Sequence, residues 1–198
     1  NLHRQKHSEY NHIAEQFHYL CPKQKVMTKE FNTTGSCNPA MHYMVDTSKK
    51  LAQIEEYIDD GLYFTINRAR QFGKTTTLDS LFRLLSDKYF IIKISFEGLG
   101  EDDYREGRLF LAEFQKILVK RIKTISYDLA DFWKSPVLSF GDLSKKVYDF
   151  CKLVNKPVVL MIDEVDKSQN NQLFLDLLGM LRNLYLERSE SGDMSSTF

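Results

Sequence analysis

Two short stretches constrain this chain more than anything else in it. The first is Arg68-Ala69-Arg70-Gln71-Phe72-Gly73-Lys74-Thr75-Thr76, which follows the β-favouring run Leu62-Tyr63-Phe64-Thr65-Ile66 and precedes Leu78, Leu81, Phe82 and Leu85 at helical spacing. The second is Val158-Val159-Leu160-Met161-Ile162-Asp163-Glu164, an apolar run that closes on two carboxylates. A strand, a turn carrying Gly-Lys-Thr and a helix aim backbone N–H groups and the positive end of the helix dipole at phosphates. An apolar strand ending in Asp-Glu supplies carboxylates for a Mg²⁺ ion and a water. In this order the two stretches predict a nucleotide site.

The role of each residue follows from its chemistry. The amides from Phe72 to Thr76 are expected to face a β-phosphate, with Gly73 allowing close approach of backbone to phosphate. Lys74 reaches the β- and γ-phosphate oxygens as a flexible point charge. The Thr75 hydroxyl ligates Mg²⁺, Asp163 holds that ion through its water shell, and Glu164 is the base that polarises the attacking water. The pattern departs from G-x-x-x-x-G-K-[ST] at one place, because Arg68 stands where the opening glycine belongs. Arg68 and Arg70 either add charge where that glycine turn is missing or are solvated turn residues. The bland alternative for the whole segment is a strand, a turn and a helix with a surface lysine.

Five runs carry a resemblance to a known family: Phe31-Asn32-Thr33-Thr34-Gly35, His42-Tyr43-Met44-Val45-Asp46, Tyr63 to Arg68, Arg70 to Thr76, and Met161-Ile162-Asp163-Glu164-Val165-Asp166. From about Met27 onward the chain resembles the bacterial AAA-ATPase-like family, which itself carries Arg in place of the first P-loop glycine. The resemblance implies ATP as the nucleotide and a P-loop NTPase fold of AAA type, a three-layer αβα arrangement with a parallel sheet. It also implies a C-terminal nuclease-like domain of the PD-(D/E)XK type in the full-length protein. Related ATPases place the adenine ring on a segment just ahead of the first strand, which makes His42, Tyr43 and Met44 candidates for a stacking wall. The other reading of that loop-like segment, with Gly35, Asn38 and Pro39 as breakers, is a strap packed on the core.

Composition narrows the rest. The 198 residues suffice for one core, and 27 Lys+Arg against 27 Asp+Glu gives no net charge, which points away from a dedicated nucleic-acid grip. Cys21, Cys37 and Cys151 are odd in number and widely spaced, so neither a disulfide frame nor a zinc knuckle is indicated, and a reducing, cytoplasmic setting is expected. No apolar run approaches the ~20 residues that span a bilayer, and no signal peptide is visible.

Along the chain, residues 1–26 are expected to be an N-terminal extension foreign to the domain, which then occupies 27–198. Their histidines, His3, His7, His12 and His18, fit no compact metal-ligand set, although Tyr10, Ile13, Phe17 and Leu20 lie at helical spacing suited to a docking helix. Leu51, Ile54, Tyr57 and Ile58 predict a short helix ended by Gly61. Tyr89 to Phe96 reads as a second strand, followed by a solvated acidic turn at Glu101-Asp102-Asp103. Helices are predicted through Phe110 to Ile125, Leu143 to Val154 and Leu173 to Leu184, with Trp133 between the first two as a core plug. Strands separated by helices imply parallel pairing with right-handed crossovers.

An AAA-type sheet has two further strands after the Asp-Glu helix and a helical lid beyond them. A chain ending at Phe198 is expected to be truncated before these elements, leaving the strand at Leu62–Ile66 as an exposed edge. The functional expectation is ATP binding and Mg²⁺-dependent hydrolysis that drives a conformational change in an attached effector, with oligomers allowed. The alternative is a nucleotide-binding switch or interaction module with little turnover. Glu164 beside Asp163 favours hydrolysis, because a pure binder needs the metal ligand but not the base.

Overall fold

A computed structural model describes residues 28–33, 35–67, 73–165, 172–192 and 198. It divides into two units, residues 1–45 and 46–198. The expected docking helix, the N-terminal histidines, Cys21, and the site candidates Arg68, Arg70 and Phe72 lie outside the described residues.

In the first unit, residues Glu30 and His42 form an isolated parallel bridge, with Glu30 N donating to Met41 O and Tyr43 N to Glu30 O, each at 3.0 Å. Asn38 N donates to His42 Nδ1 at 2.9 Å, and the Tyr43 ring lies 4.9 Å from that of Phe31. These contacts tie His42 and Tyr43 into the strap itself. Their expected role beside an adenine remains a property of the sequence resemblance.

The second unit carries six helices and two strands among the described residues. In chain order these are α1 (Ser48–Asp59), α2 (Lys74–Leu85), β1 (Phe90–Ser95), α3 (Gly107–Lys123), α4 (Tyr127–Asp131), α5 (Phe140–Leu153), β2 (Val158–Asp163) and α6 (Gln172–Ser191), with 3₁₀ turns at Glu101–Tyr104 and Phe132–Lys134. The strands pair in parallel, as their intervening helices predict, with Phe90 opposite Val158 and Ser95 opposite Asp163.

Alternation along the strands sorts the side chains onto two faces. Ile91 and Met161 meet Leu81 and Leu85 of α2, and Leu51, Ile54 and Ile58 of α1 pack against this smaller cluster. Ile92, Ile94, Val158, Leu160 and Ile162 face the larger cluster built from α3, α5 and α6. Apolar clusters therefore lie on both faces of a two-stranded sheet. At the centre of the larger one, Phe96 meets Phe114 and Phe174 edge-on, with ring centroids 6.1 and 5.8 Å away.

Helix ends follow local chemistry. The Ser126 hydroxyl accepts Leu129 N at the start of α4, and the Ser139 hydroxyl accepts Asp142 N at 3.1 Å at the start of α5. At the other end of α1, Gly61 adopts φ 67°, the left-handed conformation expected of a helix-ending glycine. Trp133 is the core plug that its position suggested: it is fully buried, 5.4 Å from the Phe150 ring. The buried Gln115 of α3 holds the loop around it, accepting Val137 N at 3.0 Å and donating to the carbonyls of Trp133 and Ser135. The acidic turn is the bland one: Asp103 accepts Gly100 N at 2.8 Å, and Asp102 pairs with Arg105.

The strand expected over Leu62–Ile66 is not formed. A strand exists through its ladder, and the described residues place none beside this segment, so its groups are taken up elsewhere. Leu62 N donates to Tyr57 O at 2.9 Å, Arg188 donates to Gly61 O, and the Tyr63 hydroxyl donates to the Phe198 carbonyl at 2.9 Å. The Tyr63 ring sits 5.0 Å from Tyr185 of α6, and the Phe64 ring 5.6 Å from Tyr57 of α1. Leu62, Tyr63 and Phe64 remain exposed, while Ile66 reaches the smaller cluster.

Candidate functional site

Thr75 of the first motif and Asp163-Glu164 of the second line one cleft at the carboxyl ends of the paired strands, where open parallel α/β sheets bind ligands. Asp163 is the last residue of β2 and is 7 % exposed, so its carboxylate is held at the edge of the core rather than in bulk water. Its Oδ1 accepts the backbone N–H of Glu164 at 3.0 Å. Glu164 adopts φ 56°, alone among described non-glycine residues in having a positive φ. Such a backbone costs about 1–3 kcal/mol for a side-chain-bearing residue and gathers at functional turns. Here it turns the chain sharply out of β2 while keeping both carboxylates at the strand end.

The opposing wall is α2. Gly73 is its N-cap, at φ 74°, and as a glycine it brings no side-chain oxygen to the first turn, which leaves the helix end to carry its partial positive charge. A Cβ built on Gly73 meets nothing within 4 Å, so the positive φ, rather than crowding by protein atoms, is what demands glycine here. The Thr77 hydroxyl donates to Gly73 O at 2.8 Å and the Ser80 hydroxyl to Thr76 O at 2.9 Å, which fastens the first turns of the helix to themselves. Replacing Gly73 with Ala is expected to lower stability by about 1–2 kcal/mol through the left-handed backbone penalty alone. Thermal melts of both proteins check this, and an unchanged midpoint would mean that the turn relaxes to negative φ.

Between these walls lies an open cleft of about 490 Å³, lined by Thr75, Asp79 and Phe82 of α2, Lys93 to Ser95 of β1 with Glu97, Arg121 of α3, and Asp163 with Glu164. Thr75, Asp163 and Glu164, named from separate parts of the sequence, thus share one cavity. Lys74 and Thr76 stand in the first turn of α2 on either side of Thr75. Within the described residues no three His, Cys, Asp or Glu side chains gather into a metal cage. Mg²⁺ in a nucleotide site takes one or two protein oxygens and completes its shell with phosphates and water. A threonine hydroxyl and a held carboxylate facing one cleft are such a donor pair.

Sequence reasoning missed Lys93 and Asp79. Lys93 projects from the middle of β1 on the same face as Ser95, and its ammonium is paired with Asp79 of α2, both side chains largely but not fully covered. The signal was present, since a lone lysine interrupts the apolar run Phe90-Ile91-Ile92-Lys93-Ile94. At the far end of the cleft, the Arg121 guanidinium lies 4.9 Å from the centre of the Phe82 ring.

A family model described as an AAA-like domain matches residues 34–195. Searches of curated proteins and of solved structures give no match. No helix among the described residues is long and apolar enough to cross a membrane.

Proposed function

This chain belongs to the AAA-like domain family, of nucleotide-binding, ATPase-like character, and from that premise we propose that it binds ATP with Mg²⁺ and hydrolyses it. The observation that supports this most is the shared cleft of Thr75, Asp163 and Glu164. Lys74, first residue of α2, holds the β- and γ-phosphates, and the amides from Phe72 to Thr76 donate to the β-phosphate oxygens at the positive helix end. Arg68 and Arg70 are proposed to add positive charge for the phosphates in place of the missing first glycine. Thr75 and Asp163 hold the ion, which when bound neutralises phosphate charge and orients the terminal group. Glu164 accepts a proton from the attacking water.

Turnover is proposed to drive a conformational change in an attached effector, for which the nuclease-like domain of the resembling family is the candidate. The setting proposed is cytoplasmic, with oligomers allowed. The first test is metal dependence. Fluorescent ATP is expected to bind more tightly with Mg²⁺ than with EDTA, and Asp163→Asn to remove about tenfold of that gain, the worth of roughly 1.4 kcal/mol in one charged contact. Equal affinity of wild type with and without Mg²⁺ would sink the metal assignment.

A further inference from the structure

The cleft holds an ion pair that the roles above leave unused. Asp79 and Thr75 are four residues apart on α2, so they lie one above the other on the same helix face, about 5–6 Å between Cβ atoms. Lys93 of β1 is bound to Asp79, which places its ammonium about one helical turn below the Thr75 hydroxyl, inside the same cleft. On the strand side, Lys93 lies two residues before Ser95, and Ser95 pairs in register with Asp163. Two strand residues span about 6.6 Å, close to the length of an extended lysine side chain. An extended Lys93 side chain is therefore long enough to cover the span along the strand to the position of Ser95.

The electrostatics of the cleft favour movement of the Lys93 charge once a polyanion enters. Among the described residues its lining has four carboxylates, Asp79, Glu97, Asp163 and Glu164, and the cations Lys93 and Arg121. A polyphosphate placed there draws in positive charge, and Lys93 is the cation on the strand paired with that of Asp163. Lysine suits a switch of partners because its head group is a point charge on a flexible stem, without the fixed fork of arginine. Asp79 pairs the largely covered Lys93 ammonium and so limits the cost of carrying it.

We propose that Lys93 is a terminal-phosphate contact that exchanges Asp79 for the γ-phosphate of ATP, so that this cleft distinguishes nucleoside triphosphate from diphosphate within a single chain. The inference rests on the nucleotide reading above and adds to it a residue and a selectivity. Asp79 is then the resting partner of that cation, competing with the γ-phosphate for it.

The test is competition of ATP and of ADP against a fluorescent nucleotide, with Mg²⁺ present, on the full chain and three variants. Lys93→Met, which keeps the apolar stem, is expected to weaken ATP about tenfold and leave ADP within about twofold, the loss of one charged hydrogen bond. Lys93→Arg is expected to retain most of the preference for ATP. Asp79→Asn is expected to tighten ATP about threefold, because the competing carboxylate is gone, a gain of roughly 0.65 kcal/mol. A purely structural ion pair would instead make Lys93→Met and Asp79→Asn behave alike, with both nucleotides weakened together or neither changed, and either pattern overturns the proposal. If wild type binds neither nucleotide, the nucleotide reading fails and takes this inference with it. If wild type binds both and Lys93→Met leaves their ratio unchanged, this inference alone fails.

Discussion

Glu164→Gln is expected to bind ATP as wild type does and to lose turnover by about 10²–10⁴-fold, the usual worth of a positioned general base. The amide keeps the size and much of the polarity of the side chain but cannot accept the proton from water. Its backbone demand is unchanged, because Glu164 and Gln both meet the same cost at φ 56°. The fold therefore stays intact, and binding and chemistry separate. Phosphate release at saturating ATP, alongside the affinity of each protein, measures both. Unchanged release in the variant would place the base elsewhere. A wild type that binds ATP but releases no phosphate would favour the switch reading, in which the nucleotide sets a conformation and is not consumed.

The parts of the molecule that were legible in the sequence are those fixed by neighbours along the chain. The spacing of Leu78, Leu81, Phe82 and Leu85 gave α2, and the apolar runs gave β1 and β2 close to their observed bounds. Their parallel pairing followed from the helices between them, and the buried Trp133 from its place between two amphipathic helices. Thr75, Asp163 and Glu164 could be named because each sits at a fixed offset from a patterned element, and such elements bring their ends together once the strands pair.

What escaped depends on contacts made across the fold. Leu62-Tyr63-Phe64-Thr65-Ile66 has the composition of a strand, but composition cannot supply a partner. The segment gives its rings to Tyr57 and Tyr185 instead of a ladder. Gly73 is expected to leave room for a phosphate, and the structure adds a demand the motif does not show, its positive φ at the head of α2. The positive φ of Glu164 leaves no trace in the sequence, since nothing but the turn out of β2 requires it. Lys93 did leave a trace, as a charge in an apolar strand. Its meaning emerged only with Asp79, fourteen residues earlier and on another element.

The central claim, that the Gly73-Lys74-Thr75 turn and the Asp163-Glu164 strand end form one ATP site, stands on Lys74. Its side chain belongs to the first residue of α2, at the mouth of the helix and outside both apolar clusters, so its loss removes phosphate binding without removing core packing. Truncating it deletes a charge expected to touch two phosphates, about 3 kcal/mol or more, which is a loss in affinity of at least about a hundredfold. The direct measurement is a fluorescent-ATP titration of wild type and Lys74→Ala in Mg²⁺, with circular dichroism and a thermal melt to show that both are folded. Saturable binding by wild type with none detectable in the folded variant is the predicted result. Equal affinity of the two folded proteins would contradict it.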